Sequence, residues 1–155
     1  VGDSMVVIPY EDIYSRFRLK ITDFKMLSMD EDLLELMCQE WLMESVSSPR
    51  FRKMFSSFTA DNVKKIISFE LLYPVDNVSD SYFITSLLSL SMAIQWLQPQ
   101  IDSILNTAPM IGGKEEKKLL DNHKYSIQRL ESMKAEQKKM IRDYGYMYNS
   151  YLSKE

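Results

Sequence analysis

Apolar residues recur at helical spacing from near the start of the chain. Ile13, Tyr14, Phe17 and Ile21 fall on one face of the segment from Tyr10 to Ile21, with Arg16, Arg18 and Lys20 on the other. Pro9 opens this segment, and Glu11 and Asp12 sit in its first turn, where the helix dipole favours acids. A short amphipathic helix over 10–21 is predicted. A second stripe runs through Leu33, Leu34, Met37, Trp41, Leu42 and Val46. It follows Ser28 with Glu31 three residues on, the pattern of a capping box, and Pro49 disfavours helical geometry just before it. This predicts a helix over 29–47. Its opposite face carries Asp32, Glu35, Glu40 and Glu44.

From Tyr82 to Leu97 the chain is apolar nearly all round, relieved only by Ser, Thr and Gln. That is the pattern of a buried central helix, predicted over 80–98 with Ser79 as its cap. Ile101, Ile104 and Leu105 add a turn or two after Pro99, and Pro109 with Gly112-Gly113 makes a break. Lys114 to Asp143 contains no Gly or Pro and predicts one long last helix. Its seam starts apolar with Leu120, Ile127 and Leu130, then turns polar at Lys134 and Gln137 before Ile141. Between these patterns, residues 48–78 are irregular: Arg50–Phe55 and Asp61–Ile67 suggest helical turns, and Ser68–Tyr73 a strand or an extended loop. The expected fold is therefore mainly all-α. It is a small helical bundle with a long C-terminal helix and an extended aromatic C-terminal tail, its core built on Trp41, Leu87, Leu88, Ile94 and Leu97. Within a single domain, residues 1–113 form the body, with the irregular insertion at about 48–78. Residues 114–155 form the long helix and a docking tail.

Composition sharpens this picture in one respect. With 155 residues, 45% hydrophobic and 26% charged, the chain has the bulk properties of one folded globular domain. The formal net charge is only -3, but residues 1–113 hold 15 acids against nine basic residues, and 114–155 hold seven against ten. The last segment is thus suited to an acidic surface, including that of a sister subunit. No stretch is apolar and uncharged for 18 residues, so no membrane span is expected. Val1–Met5 lacks the basic and apolar regions of a signal peptide, and translation is read as starting at Val1 or at Met5.

Little here suggests chemistry. Cys38 is the one cysteine and sits in an amphipathic pattern, as a buried inert thiol would. His123 is the one histidine, on a charged helix, and no Cys/His cluster offers a zinc site. Gly112-Gly113 precedes Lys114-Glu115 and makes no phosphate-cradling motif. Asp30, Glu31, Asp32 and Glu35 fit no calcium loop. Arg50, Arg52 and Lys53 with Phe51 and Phe55 mimic a nucleic-acid patch, but a short one in an acidic chain. The expectation is a protein with no catalytic, metal or cofactor residues. After Met140 and Ile141, by contrast, Tyr144, Tyr146, Met147, Tyr148 and Tyr151 concentrate aromatic area of the kind found at interfaces. These seven residues are the expected partner-binding set.

Three segments carry a family resemblance. Residues 8–24, from Ile8-Pro9-Tyr10-Glu11-Asp12 to Phe24, resemble the opening of small neck proteins of tailed bacteriophages and prophages of Gram-positive hosts. Gln95-Trp96-Leu97-Gln98-Pro99-Gln100 resembles the end of that family's central apolar helix, and Asp143-Tyr144-Gly145-Tyr146 its aromatic end. The resemblance covers most of the chain except about 48–78. It implies a structural head–tail adaptor, made in the host bacterial cytoplasm and located in the virion neck. Copies of such a protein, about twelve, form a ring that extends the DNA channel. The C-terminal segment docks on the portal and a further neck or tail protein binds below, while genomic DNA passes without specific binding. On this reading Glu35, Glu40 and Glu44 are candidates to face the channel. The competing readings are a helical protein–protein interaction module of a cellular or phage regulator, and a DNA-binding protein.

Overall fold

Pro9 joins two elements. The structure, a computed structural model, describes residues 5–21 and 28–144. Among these, strand β1 (Val6–Pro9) runs directly into helix α1 (Tyr10–Lys20). Helix α2 (Glu31–Val46), the single turn α3 (Pro49–Arg52) and strands β2 (Phe55–Asp61) and β3 (Ile66–Leu71) follow. Helix α4 (Asn77–Ile111), α5 (Gly113–Asn122) and α6 (Lys124–Arg142) complete the order. The fold is mainly α-helical with one small sheet, in the order β1-β3-β2, antiparallel throughout.

The long helix α4 is the centre of the core. Ile84, Leu87, Leu88, Met92 and Ala93 are inaccessible to solvent, and β1, α1, α2 and α6 all pack on this helix. Ile13, Tyr14 and Phe17 of α1 are buried, as are Cys38, Leu42 and Val46 of α2 and Leu130 and Met133 of α6. Leu87, Leu88, Ile94 and Leu97 lie in the core as their spacing predicts, while Trp41 is half-buried, its ring 5.5 Å from that of Phe17.

The helix runs through both of its prolines to Ile111, well past the predicted end at 98. Each proline removes a backbone donor and crowds the preceding turn, but Pro99 and Pro109 face solvent, where water can satisfy the freed carbonyls. Ile101 and Ala108 stay buried, and α5 folds back on α4 after Gly112, which has a positive φ of 72°. The start also differs. Asp76, not Ser79, is the cap: its carboxylate accepts from the backbone N of Ser79 at 2.7 Å and from the Ser79 hydroxyl at 3.0 Å. These bonds hold the Asp76 carboxyl below the usual carboxylate range. Likewise α2 is capped at Asp30 and not Ser28, without a side-chain cap hydrogen bond.

Two further expectations are corrected. The last helix is two helices, broken at His123, whose φ of -112° and ψ of 10° are not helical. No residue of α5 is buried, whereas α6 delivers Leu130 and Met133 to the body, so the two follow different surfaces. The segment 48–78 is no irregular insertion but α3 and a β-hairpin that completes the sheet. On β3 the inward residues Ile67, Phe69 and Leu71 alternate with Ile66, Ser68 and Glu70. On β2 a bulge between Phe55 and Ser57 breaks the two-residue period. That extra residue lets both Phe55 and Phe58 reach the core side, with ring centroids 5.0 Å apart. The hairpin turn is held by Asp61, which accepts from the backbone N of Val63 at 2.9 Å and of Lys64 at 3.0 Å. Tyr10 donates to Asn62 at 2.6 Å, and Lys65 takes the left-handed conformation, φ 57°.

Tyr14 gives a test of this core. Its hydroxyl is buried without a hydrogen-bond partner among the described residues, and burial pushes its pKa upward. A buried polar atom without a partner costs roughly 1–3 kcal/mol. Tyr14→Phe is therefore expected to leave stability unchanged or raise it by about 1 kcal/mol, read as a higher urea midpoint at unchanged slope. A loss of more than about 1 kcal/mol would show that the hydroxyl is bonded in solution.

Candidate functional site

The described surface offers shapes for binding. Among the described residues, no three of His, Cys, Asp and Glu converge to hold a metal ion. Cys38 is fully buried, and desolvation pushes its thiol up to about 11, so little of it is thiolate near neutrality. His123 marks the joint between α5 and α6. No helix among the described residues is long and apolar enough to cross a membrane.

The first candidate is the end of α6. Met140 and Ile141 do not leave the body: both are half-buried against the core. Tyr144 continues this contact. Its ring stacks on Phe83 with centroids 3.9 Å apart and planes within 6°, and its hydroxyl donates to Asp80 Oδ1. Asp80 is 2% exposed and also accepts from the backbone N of Val75 at 3.2 Å. A buried carboxylate needs donors, and Tyr144 supplies one while its ring covers Phe83. Val75, Ser79, Phe83, Met140 and Tyr144 surround a cleft of about 590 Å³ here. Met140, Ile141 and Tyr144 of the expected partner-binding set are thus packed against the body. Tyr146, Met147, Tyr148 and Tyr151 lie outside the described residues.

The second candidate is the exposed side of α2. Glu40 and Glu44, one turn apart, line a shallow groove of about 420 Å³ together with Met43, Ser47, Ser48 and Gln95. Glu35 does not join them. Five residues of helix amount to about 140° of rotation, and Glu35 is placed where its charge helps raise the pKa of Tyr14 and Cys38. The three candidate channel-facing acids thus divide between two faces. The predicted apolar stripe is also cut short, for Leu33 is 48% exposed and the neighbouring Leu36 62%.

A third feature had no counterpart in the sequence pattern. A groove of about 770 Å³ lies between α1 and the first turns of α4, with β1 at its border. Val7, Leu19, Val78 and Tyr82 expose apolar area along it. Arg16 spans it: its guanidinium stands 4.4 Å over the Tyr82 ring and donates to Ser86 at 2.5 Å. The sequence hides this groove because its walls come from segments about 60 residues apart. Leu19 in particular falls on the polar side of its own helix. Compared with protein-family models, with curated proteins and with solved structures, the chain matches none of them.

Proposed function

We propose that this chain is a structural subunit of a tailed-phage neck, an adaptor whose copies form a ring between the portal and the tail-side proteins. The observation that carries the reading is the order of three segments, residues 8–24, 95–100 and 143–146, each resembling the matching part of head–tail connector proteins. The mainly helical fold supports it. The described part of the first segment forms β1 and α1, the second lies within α4, and Asp143 and Tyr144 close α6 against the same α4. Tyr144 anchors the end of α6 beside the first turns of α4, and a tail docking on another protein would start from that anchored end. Ordering such a tail costs about 1–2 kcal/mol per residue in backbone entropy. Burial of several tyrosines offsets this, and a ring repeats the contact at every subunit.

A chain ending at Tyr144 tests the reading. Circular dichroism is expected to be nearly unchanged, since the buried residues of α1, α2, α4 and α6 are all kept, while binding to the purified portal of the same phage is lost. Portal binding by the shortened chain would move the interface elsewhere. Electron micrographs of full-length protein with portal that show no added ring would remove the adaptor reading itself.

A further inference from the structure

Helix α2 carries five acidic residues and no basic one; α6 carries six basic residues and two acids. Both pack on α4, yet their charges do not meet. Among the described residues, none of the five α2 acids lies within ion-pair distance of a lysine or arginine, and Lys124, Lys134, Lys138 and Lys139 of α6 are likewise unpaired. The exposed side of α2 is more than a run of charge. Leu33 and Leu36 open it with apolar area, Met43 is half-buried on it, and Glu40 and Glu44 close it. On α6 the solvent side carries Lys138, Lys139 and Arg142 at one end and Tyr125, 78% exposed, at the other.

We propose that these two faces are the two halves of one interface, α6 of one copy docking on α2 of the next. The occupant of the α2 face is a second copy of this chain, because the complement in sign, with its own exposed aromatic, stands on the chain itself. The faces are different patches, so the contact is heterologous and each copy uses both, which generates a ring where the rotation closes. The inference rests on the ring reading above and gives it a specific contact. Exposed charge pairs contribute more to encounter and register than to affinity. Leu33, Leu36 and Tyr125 supply apolar contact, and the charges make association strongly dependent on salt.

Two charge-reversed chains test this, Glu40→Lys/Glu44→Lys and Lys138→Glu/Lys139→Glu, followed by analytical ultracentrifugation. All four side chains are exposed, so circular dichroism should match the wild type. At about 0.01 M salt, where the Debye length is about 30 Å, the wild type is expected to self-associate. Near 1 M, where it is about 3 Å, the association should weaken at least tenfold. Each reversed chain alone is expected to be monomeric, since the Glu40/Glu44 end of α2 and the Lys138/Lys139 end of α6 then have the same sign. Their equimolar mixture should associate again, because each face of one chain finds an opposite face on the other. If a reversed chain misfolds, Glu40→Gln/Glu44→Gln and Lys138→Gln/Lys139→Gln replace the pair and should each weaken association. Self-association of either altered chain at wild-type strength, a reversed mixture that stays monomeric, or a wild type monomeric at low salt overturns the proposal. Reversed chains that still enter a neck ring would overturn this interface and leave the adaptor reading standing. Rescue on mixing without any incorporation at a portal would do the opposite.

Discussion

Leu88→Asp is expected to abolish the fold. Leu88 is wholly inaccessible near the middle of the buried stretch of α4, the helix on which β1, α1, α2 and α6 all pack. The substitution gives up roughly 1.5–3 kcal/mol of apolar burial. It also places a carboxylate among Leu87, Met92 and their neighbours, at several kcal/mol more for an uncompensated buried charge. The sum is comparable with the whole net stability of a domain, about 5–15 kcal/mol. Far-ultraviolet circular dichroism should lose most of its helical signal, with no cooperative urea transition. Leu88→Met, which nearly conserves volume, should cost less than about 1.5 kcal/mol. If the aspartate variant unfolds cooperatively within 2 kcal/mol of the wild type, then α4 is not the centre of the core.

Tyr144→Ala should have the next largest effect. The ring lies flat on Phe83, so its removal uncovers that side chain and opens the cleft beside Met140. It also takes a donor from Asp80, a nearly inaccessible carboxylate that accepts as well from the backbone N of Val75. Truncation of a large aromatic costs about 3–5 kcal/mol when fully buried. Tyr144 is half-exposed, so about 2–3 kcal/mol is expected, including the Asp80 contribution. Tyr144→Phe keeps the stack and loses only the hydrogen bond, for about 1–2 kcal/mol. The gap between the two variants in urea unfolding measures the stack. Two variants with wild-type midpoints would show that the chain leaves the body before residue 144.

The legible parts of this fold are those where one period governs. Ile13, Tyr14 and Phe17 repeat at helical spacing because α1 has one buried face, and the run from Tyr82 to Leu97 is apolar because α4 is surrounded. The hairpin was hidden for a local reason: with a bulge after Phe55, the three-residue step to Phe58 imitates a helical turn. The break at His123 was hidden because nothing in the backbone chemistry of the residues around it demands one. The site was less legible than the fold. Tyr144 stood out as aromatic, but its partners Asp80 and Phe83 lie about 60 residues earlier, and no local pattern reports a pairing across that distance. Spacing alone would have separated Glu35 from Glu40 and Glu44, since five residues do not return to the same face.

The sheet order sets a sequence of events in synthesis. β3 lies between β1 and β2, so the first strand of the sheet pairs with its last, Val6 opposite Phe69 and Ile8 opposite Ile67. The β2–β3 hairpin closes locally across a four-residue turn, whereas β1 waits for some sixty residues to leave the ribosome. At about 5–20 residues per second this is a delay of several seconds. During it Val6 and Ile8 have neither their ladder nor α4 beneath them, and the nascent chain carries an apolar strand with unpaired edges. Pro9 lacks an amide hydrogen and limits how far a foreign strand can extend along it. Final docking of β1 closes the longest loop of the sheet and belongs to the slow end of folding.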